Sequence, residues 1–223
     1  QNALTNDFEK RNIAKPVISV VTQVRVDKED PSFKKPSKPI GPFYTKEEAD
    51  AEAAKDGSTY VEDAGRGYRK VVPSPMPKEI VEKEAVRALV EADVLTICSG
   101  GGGIPVVAED GQYVGVEAVN DKDFSARVLA ENVDADRLII LTGVDNIYIN
   151  YNQPDQKALE QISVAEAEEY IKEGHFAAGS MLPKIEAALD FVKGDDKRKA
   201  IITSIENLEN IDKEAGTVIS QKG

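Results

Sequence analysis

Residues 81–105 read VEKEAVRALVEADVLTICSGGGGIP, and the hydrophobic period changes within them. Val81, Ala85, Leu89 and Ala92, with Ala88 beside Leu89, recur at the spacing of one helix face. Residues 94–98 then form a short, nearly continuous apolar run of the kind that suits a strand buried on both faces. Glycine follows at once. Working outward, similar apolar runs stand at 17–26, 138–141 and 200–203, and a second helical period carries Leu182, Ile185, Leu189 and Val192. Strands alternating with helices predict an α/β layered fold with a mainly parallel sheet and right-handed crossovers. Ligands in such sheets collect at the carboxyl ends of the strands.

Composition narrows the function classes. The 223 residues are 41% hydrophobic, enough for a core, and carry 28 Lys+Arg against 40 Asp+Glu, a net charge of -12. Such a surface repels nucleic acid and anionic lipid, so no nucleic-acid or membrane partner is expected, and any phosphate site must be a local cluster of positive charge. Cys98 is the single cysteine, which excludes an internal disulfide and a CxxC site and suits a reducing cytosol. The opening Gln1-Asn2-Ala3-Leu4 does not read as a signal peptide, and the apolar runs are too short to span a bilayer. A soluble cytoplasmic protein is expected.

Residues 27–77 break the alternation. They hold seven of the eleven prolines and no sustained period, which reads as an inserted subdomain within one domain spanning 1–223. Lys34, Lys35, Lys38, Arg66, Arg69 and Lys70 lie in it, the composition of an anion-facing lid; a solvated surface explains any one of them singly. Gly100, Gly101, Gly102 and Gly103 sit where a strand opens, and residues without Cβ there let backbone N–H groups surround an anion. A flexible turn is the plainer explanation of a lone glycine run. Neither a Walker A loop nor GxGxxG fits the spacing.

Asn120-Asp121-Lys122-Asp123 precedes a helical stretch, with Asn120 the expected N-cap. Lys122 opposes the positive end of that helix unless an anion also sits there. The same conflict recurs at Ser180-Met181-Leu182-Pro183-Lys184, where Pro183 suits a first helical turn. Two such lysines suit phosphoryl transfer, which needs positioning and charge neutralisation more than covalent chemistry, and Asp123 would orient them. Lysines snorkelling over apolar surface are the alternative. Leu141-Thr142-Gly143-Val144-Asp145-Asn146 closes a strand with a polar turn suited to a ribose, and Tyr148 and Met181 suit an adenine ring or simply the core. His175, the only histidine, is read as a loop residue. No metal cage is visible, so Mg²⁺ would arrive with the nucleotide.

At this point the sequence resembles the carbamate kinase family along nearly its whole length. The likeness is carried by Thr22-Gln23-Val24, Lys38-Pro39-Ile40-Gly41-Pro42-Phe43, Glu62-Asp63-Ala64-Gly65-Arg66-Gly67, Val72-Pro73-Ser74-Pro75, the glycine run, Asp121-Lys122-Asp123, and residues 141–148 and 174–184. It implies an open αβα sandwich of the amino-acid-kinase fold, usually a homodimer, that moves a phosphoryl group between carbamoyl phosphate and ADP, giving ATP and carbamate in fermentative arginine breakdown. Lys122 and Lys184 would contact the transferred group, and Asp123 would organise them. Thr142, Gly143, Asp145, Tyr148, Met181 and Lys184 would serve the nucleotide, with Gly100, Gly101, Gly102, Gly103 and Lys38 toward carbamoyl phosphate. The family's Gly-Gly-Asn and Gly-Asn-Gly-Pro loops do not occur here, and residues 1–12 read as the middle of a helix that follows them in relatives. The expectation is therefore a domain lacking its N-terminal segment and, alone, slower than an intact member. An inactive fragment serving assembly, or a kinase for another acylphosphate such as that of an acetylglutamate-like acid, are the competing readings.

Overall fold

The computed structural model describes residues 1–63 and 65–223; Ala64, inside the Glu62 to Gly67 motif, lies outside the described residues. The chain forms two compact units, Gln1–Ser125 and Ala126–Gly223. The first contains α1 (Asn2–Lys10), β1 (Val17–Ser19), β2 (Gln23–Arg25), β3 (Lys38–Tyr44), α2 (Lys46–Asp56), β4 (Thr59–Glu62), β5 (Tyr68–Val72), β6 (Glu79–Ile80), α3 (Lys83–Glu91), β7 (Leu95–Ile97), β8 (Ile104–Glu109) and β9 (Gln112–Gly115). The division between units falls inside α4 (Lys122–Asn132).

In the first unit β1 pairs in parallel with β7, and β2 in parallel with β8. The run 17–26, expected as one strand, is therefore two strands in two sheets. The break falls before Thr22, whose hydroxyl donates to the Val20 carbonyl at 3.0 Å and accepts the Ser99 N–H at 2.9 Å. A side chain thus takes up hydrogen bonds that a continuous ladder would have made. Antiparallel β6 and β9 complete the order β6-β2-β8-β9. Within residues 27–77, β3, β5 and β4 form an antiparallel sheet of their own, and α2 packs on it. Thr45 and Glu48 make a reciprocal capping box at the start of α2, and Gly57 closes it at φ 70°. Both ends of that helix are thus satisfied by local sequence.

The second unit contains β10 (Arg137–Thr142), β11 (Ile147–Ile149), β12 (Lys157–Leu159), β13 (Gln161–Ser163), α5 (Val164–Lys172), α6 (Leu182–Val192), β14 (Lys199–Ser204) and β15 (Thr217–Ser220). Its main sheet has the order β10-β14-β15-β13, parallel at β10–β14 and β13–β15. The β14–β15 pair is antiparallel, because the 3-10 segment Glu206–Lys213 brings the chain back alongside β14 in the opposite sense. The fold is α/β as expected, with parallel pairs set in mixed sheets.

The core of this unit lies between that sheet and α6, whose Ile185, Ala187, Ala188, Leu189, Phe191 and Val192 are buried against β10, β14 and β15. Each large side chain fully buried there contributes roughly 1.5–3 kcal/mol. Ala200, Ile201, Ile202 and Thr203 of β14 are fully buried, as a two-faced interior strand requires. Residues 138–141, expected to be buried on both faces, are not: Leu138 and Ile140 are buried while Ile139 and Leu141 are exposed. Only the face of β10 that carries Leu138 and Ile140 is covered. Among the described residues no helix is long and apolar enough to cross a membrane.

Candidate active site

In the second unit β10 and β14 are parallel and paired Thr142 to Ser204, so their carboxyl ends meet at one edge. A cleft of about 580 Å³ opens beside that edge, within the size range of small-molecule sites. Thr142 and Gly143 line it from the end of β10, Tyr148 from β11, and Met181 from the residue that precedes α6. Asp145 is not a lining residue. Its carboxylate instead accepts the Ser204 hydroxyl at 2.6 Å and its carbonyl accepts the Thr203 hydroxyl at 3.3 Å. These bonds tie the turn after β10 to the end of β14. Lys184 lies in the first turn of α6, just after Pro183, and is not among the lining residues.

Asn150 and Tyr151 line the cleft too and escape sequence reasoning, whereas Gly174, His175, Phe176, Ala177 and Ser180 fall in the stretch 174–184 that carries the family likeness, without any of them being a candidate site residue. The Tyr148 and Tyr151 rings approach to 5.9 Å at a tilt of 44°, forming one aromatic wall. His175 is a loop residue, as expected, but a lining one. Its ring meets Tyr170 edge-on at 5.8 Å, and its Nε2 lies 3.0 Å from a Glu173 carboxylate oxygen. The spacing of Tyr148 and Tyr151 was a usable signal; nothing local marks His175.

In the first unit the glycine run leaves β7 through Ser99 at φ 59° and Gly100 at φ 45°. A left-handed serine is uncommon and marks a constrained turn. Val20, Val21, Thr22, Ser99, Gly100, Gly101, Gly103 and Ile104 line a concavity of about 380 Å³ there. Gly102 faces elsewhere, with its carbonyl bonded to Asn120 and Ser125. The Ser99 hydroxyl is buried without a hydrogen-bond partner among the described residues.

The turn into α4 differs from expectation. Asp121, not Asn120, caps the helix: its carboxylate accepts the Asp123 N–H at 2.9 Å and its carbonyl accepts the Ser125 N–H at 3.0 Å. Asn120 is buried, 1% exposed, and serves the glycine run instead. Lys122 pairs with its neighbour Asp123 at 3.1 Å. Lys38 of β3 pairs with Asp121, which ties residues 27–77 to the first turn of α4. Among the described residues no group of three or more His, Cys, Asp or Glu side chains is arranged to hold a metal ion.

Burial alone would push the Asp121 carboxyl up, but the Lys38 ammonium and the N–H groups of Asp123 and Phe124 outweigh it and hold the group below the usual carboxylate range. A depressed carboxyl contributes stability that is present above its unfolded value, near 4, and is lost as pH falls through the folded value. Asp121→Asn is therefore expected to destabilise the fold by about 1–3 kcal/mol at pH 7. Urea unfolding of both proteins across pH should show the gap closing below about pH 4. A gap that persists unchanged at pH 2.5 would contradict the assignment.

The amino acid kinase family matches residues 44–204. Carbamate kinase 1 of Enterococcus faecium is 55% identical over 222 residues, covering 99% of this chain and 71% of its own length. Carbamate kinase from Giardia lamblia bound to citric acid superposes with a TM-score of 0.90 at 42% identity, over 98% of this chain and 69% of that one. The same enzyme bound to AMP-PNP gives 0.86 at 44% identity, over 98% and 70%. By sequence along nearly all its length and by fold, the chain belongs to the amino acid kinase family and, within it, to the carbamate kinases.

Proposed function

We propose that the chain carries out carbamate kinase chemistry, reversible phosphoryl transfer between carbamoyl phosphate and ADP, in the cytoplasm and in the service of arginine breakdown. The observation that carries the reading is the likeness to carbamate kinases over nearly the whole chain. In the ATP-forming direction an oxygen of the ADP β-phosphate attacks phosphorus, the bond from phosphorus to the carbamoyl oxygen breaks, and carbamate leaves with that electron pair. No group of the protein is covalently changed, so catalysis consists of alignment and charge neutralisation.

The nucleotide enters as its Mg²⁺ complex, the metal held chiefly by phosphate and water. Thr142, Gly143, Tyr148 and Met181 take the nucleoside, and Asp145 braces the turn that carries them. Lys122 and Lys184 neutralise the phosphoryl oxygens as charge redistributes, and Asp123 holds Lys122. The glycine run, Gly100 to Gly103, takes the carbamoyl end, and Lys38 reaches it from residues 27–77, which act as a lid on a single catalytic domain. A homodimer is the working assembly.

A coupled ATP-formation assay tests the chemistry, with carbamoyl phosphate and acetyl phosphate compared at equal concentration and Mg-ADP in excess. ATP should form from carbamoyl phosphate at a rate at least about tenfold above acetyl phosphate, since the lost amino group leaves a polar site unpaired. Equal rates, or none above the protein-free control, would overturn the proposal.

A further inference from the structure

The Gly102 carbonyl accepts two side-chain hydrogen bonds, from Asn120 Nδ2 at 3.1 Å and from Ser125 Oγ at 2.8 Å. Both donors are buried, at 1% and 0% exposure. Both also flank the pair Lys122 and Asp123, with Asn120 before α4 and Ser125 in its first turn. The approach is as close as backbone allows: a Cβ on Gly102 would lie 2.5 Å from the Asn120 carbonyl oxygen. The glycine run therefore cannot shift against the start of α4 without breaking two buried hydrogen bonds.

Asn120 holds this place at a local cost. Its amide oxygen is buried with no hydrogen-bond partner among the described residues, which is unfavourable in a site of low polarity. An apolar side chain of similar size would fill the space without that penalty. What it could not do is donate to Gly102. Between the two donors, Asp121 receives the Lys38 ammonium, so the same short turn also meets residues 27–77.

We propose that Asn120 and Ser125 are positioning residues, which through the Gly102 carbonyl hold the glycine run in register with the first turn of α4. Their purpose rests on the kinase reading above: the groups that grip carbamoyl phosphate and the Lys122 ammonium then meet the phosphoryl group in one fixed geometry. Neither side chain touches the reacting atoms.

The test compares Ser125→Ala, Asn120→Leu and the hydroxyl-retaining Ser125→Thr with the parent, each as the full chain. Turnover with carbamoyl phosphate should fall roughly tenfold to a hundredfold in Ser125→Ala and Asn120→Leu, the scale of a small misplacement. The Michaelis constant for Mg-ADP should stay within about twofold, and Ser125→Thr should recover most of the turnover. In ligand-free protein, well below melting, amide hydrogen exchange over 100–103 should quicken about tenfold in the first two variants. Unchanged turnover with only a lowered melting midpoint would mean that the side chains merely fill space, and would overturn the proposal. Should the parent show no transfer at all, the kinase reading falls, and exchange alone decides: quickened exchange sustains the hold on the glycine run, and unchanged exchange sinks it.

Discussion

Changing Lys184 to Ala is expected to lower turnover by roughly a hundredfold or more while weakening Mg-ADP binding by less than about tenfold. Lys184 stands in the first turn of α6, where Pro183 occupies one of the first two helical positions and no acidic residue is present. A helix start already carries positive partial charge, so a cation there is disfavoured by the helix itself. In the proposed mechanism a phosphoryl group lies against that turn, and its attraction to the Lys184 ammonium is greatest when negative charge spreads over its oxygens in flight. The interaction is thus stronger in the transition state than with bound nucleotide, and its loss should fall on turnover. Steady-state kinetics of the variant, paired with calorimetric titration of Mg-ADP, separates the two quantities. A variant with parental turnover and only a raised Michaelis constant for ADP would remove Lys184 from the catalytic set.

Gly102→Ala is expected to destabilise the fold by about 2–4 kcal/mol, combining backbone strain with overpacking. Gly102 sits at φ 135°, a conformation that an L side chain rarely adopts, and its new methyl would meet the Asn120 carbonyl oxygen at 2.5 Å, carbonyl carbon at 3.1 Å and Cβ at 3.2 Å. Two of these are backbone atoms of a buried residue and cannot swing aside. The neighbouring Gly101 supplies the control, because a Cβ there meets nothing within 4 Å. Gly101→Ala should cost no more than about 0.5 kcal/mol. Chemical denaturation of the two variants measures the difference, and equal midpoints would show that the run bends freely at both positions.

How far the sequence speaks for this fold depends on the range of the physics involved. The α6 face and the interior strand β14 are legible because burial there follows the local repeat: Ile185, Leu189 and Val192 keep helical spacing, and Ala200 to Thr203 form an unbroken run. The two strands inside 17–26 are not legible, since the break depends on the Thr22 hydroxyl meeting the N–H of Ser99, far along the chain. The exposed face of β10 is hidden for a related reason. Ile139 and Leu141 are as apolar as Leu138 and Ile140, so nothing in the run tells the covered face from the open one. Among the proposed site residues, Lys122 and Lys184 stand out in the sequence because each opposes the positive end of its helix, and the glycine run because four successive residues lack Cβ. Asp121 does not: a carboxylate before a helix looks like a cap, and it is one, so its second bond to Lys38 leaves no trace in the spacing. His175 and Ser180 reach the cleft only because the loop after α5 folds toward the end of β10.

Thr217 is fully buried, accepts the Ile147 N–H at 2.8 Å and donates to the Leu159 carbonyl. One hydroxyl on an interior strand thereby fastens both arms of the β11–β12 hairpin, the arm bearing Tyr148 included. Opening that wall would require unpairing a buried network, the class of event that happens at the rate of large-scale unfolding. Residues 174–181, which also line the cleft, belong to no strand or helix but are bonded at both ends, His175 N–H to the Tyr170 carbonyl of α5 and the Met181 carbonyl to the N–H groups of Lys184 and Ile185 in α6. The tyrosine wall is therefore a fixed jamb, held by the sheet behind it rather than by anything in the cleft.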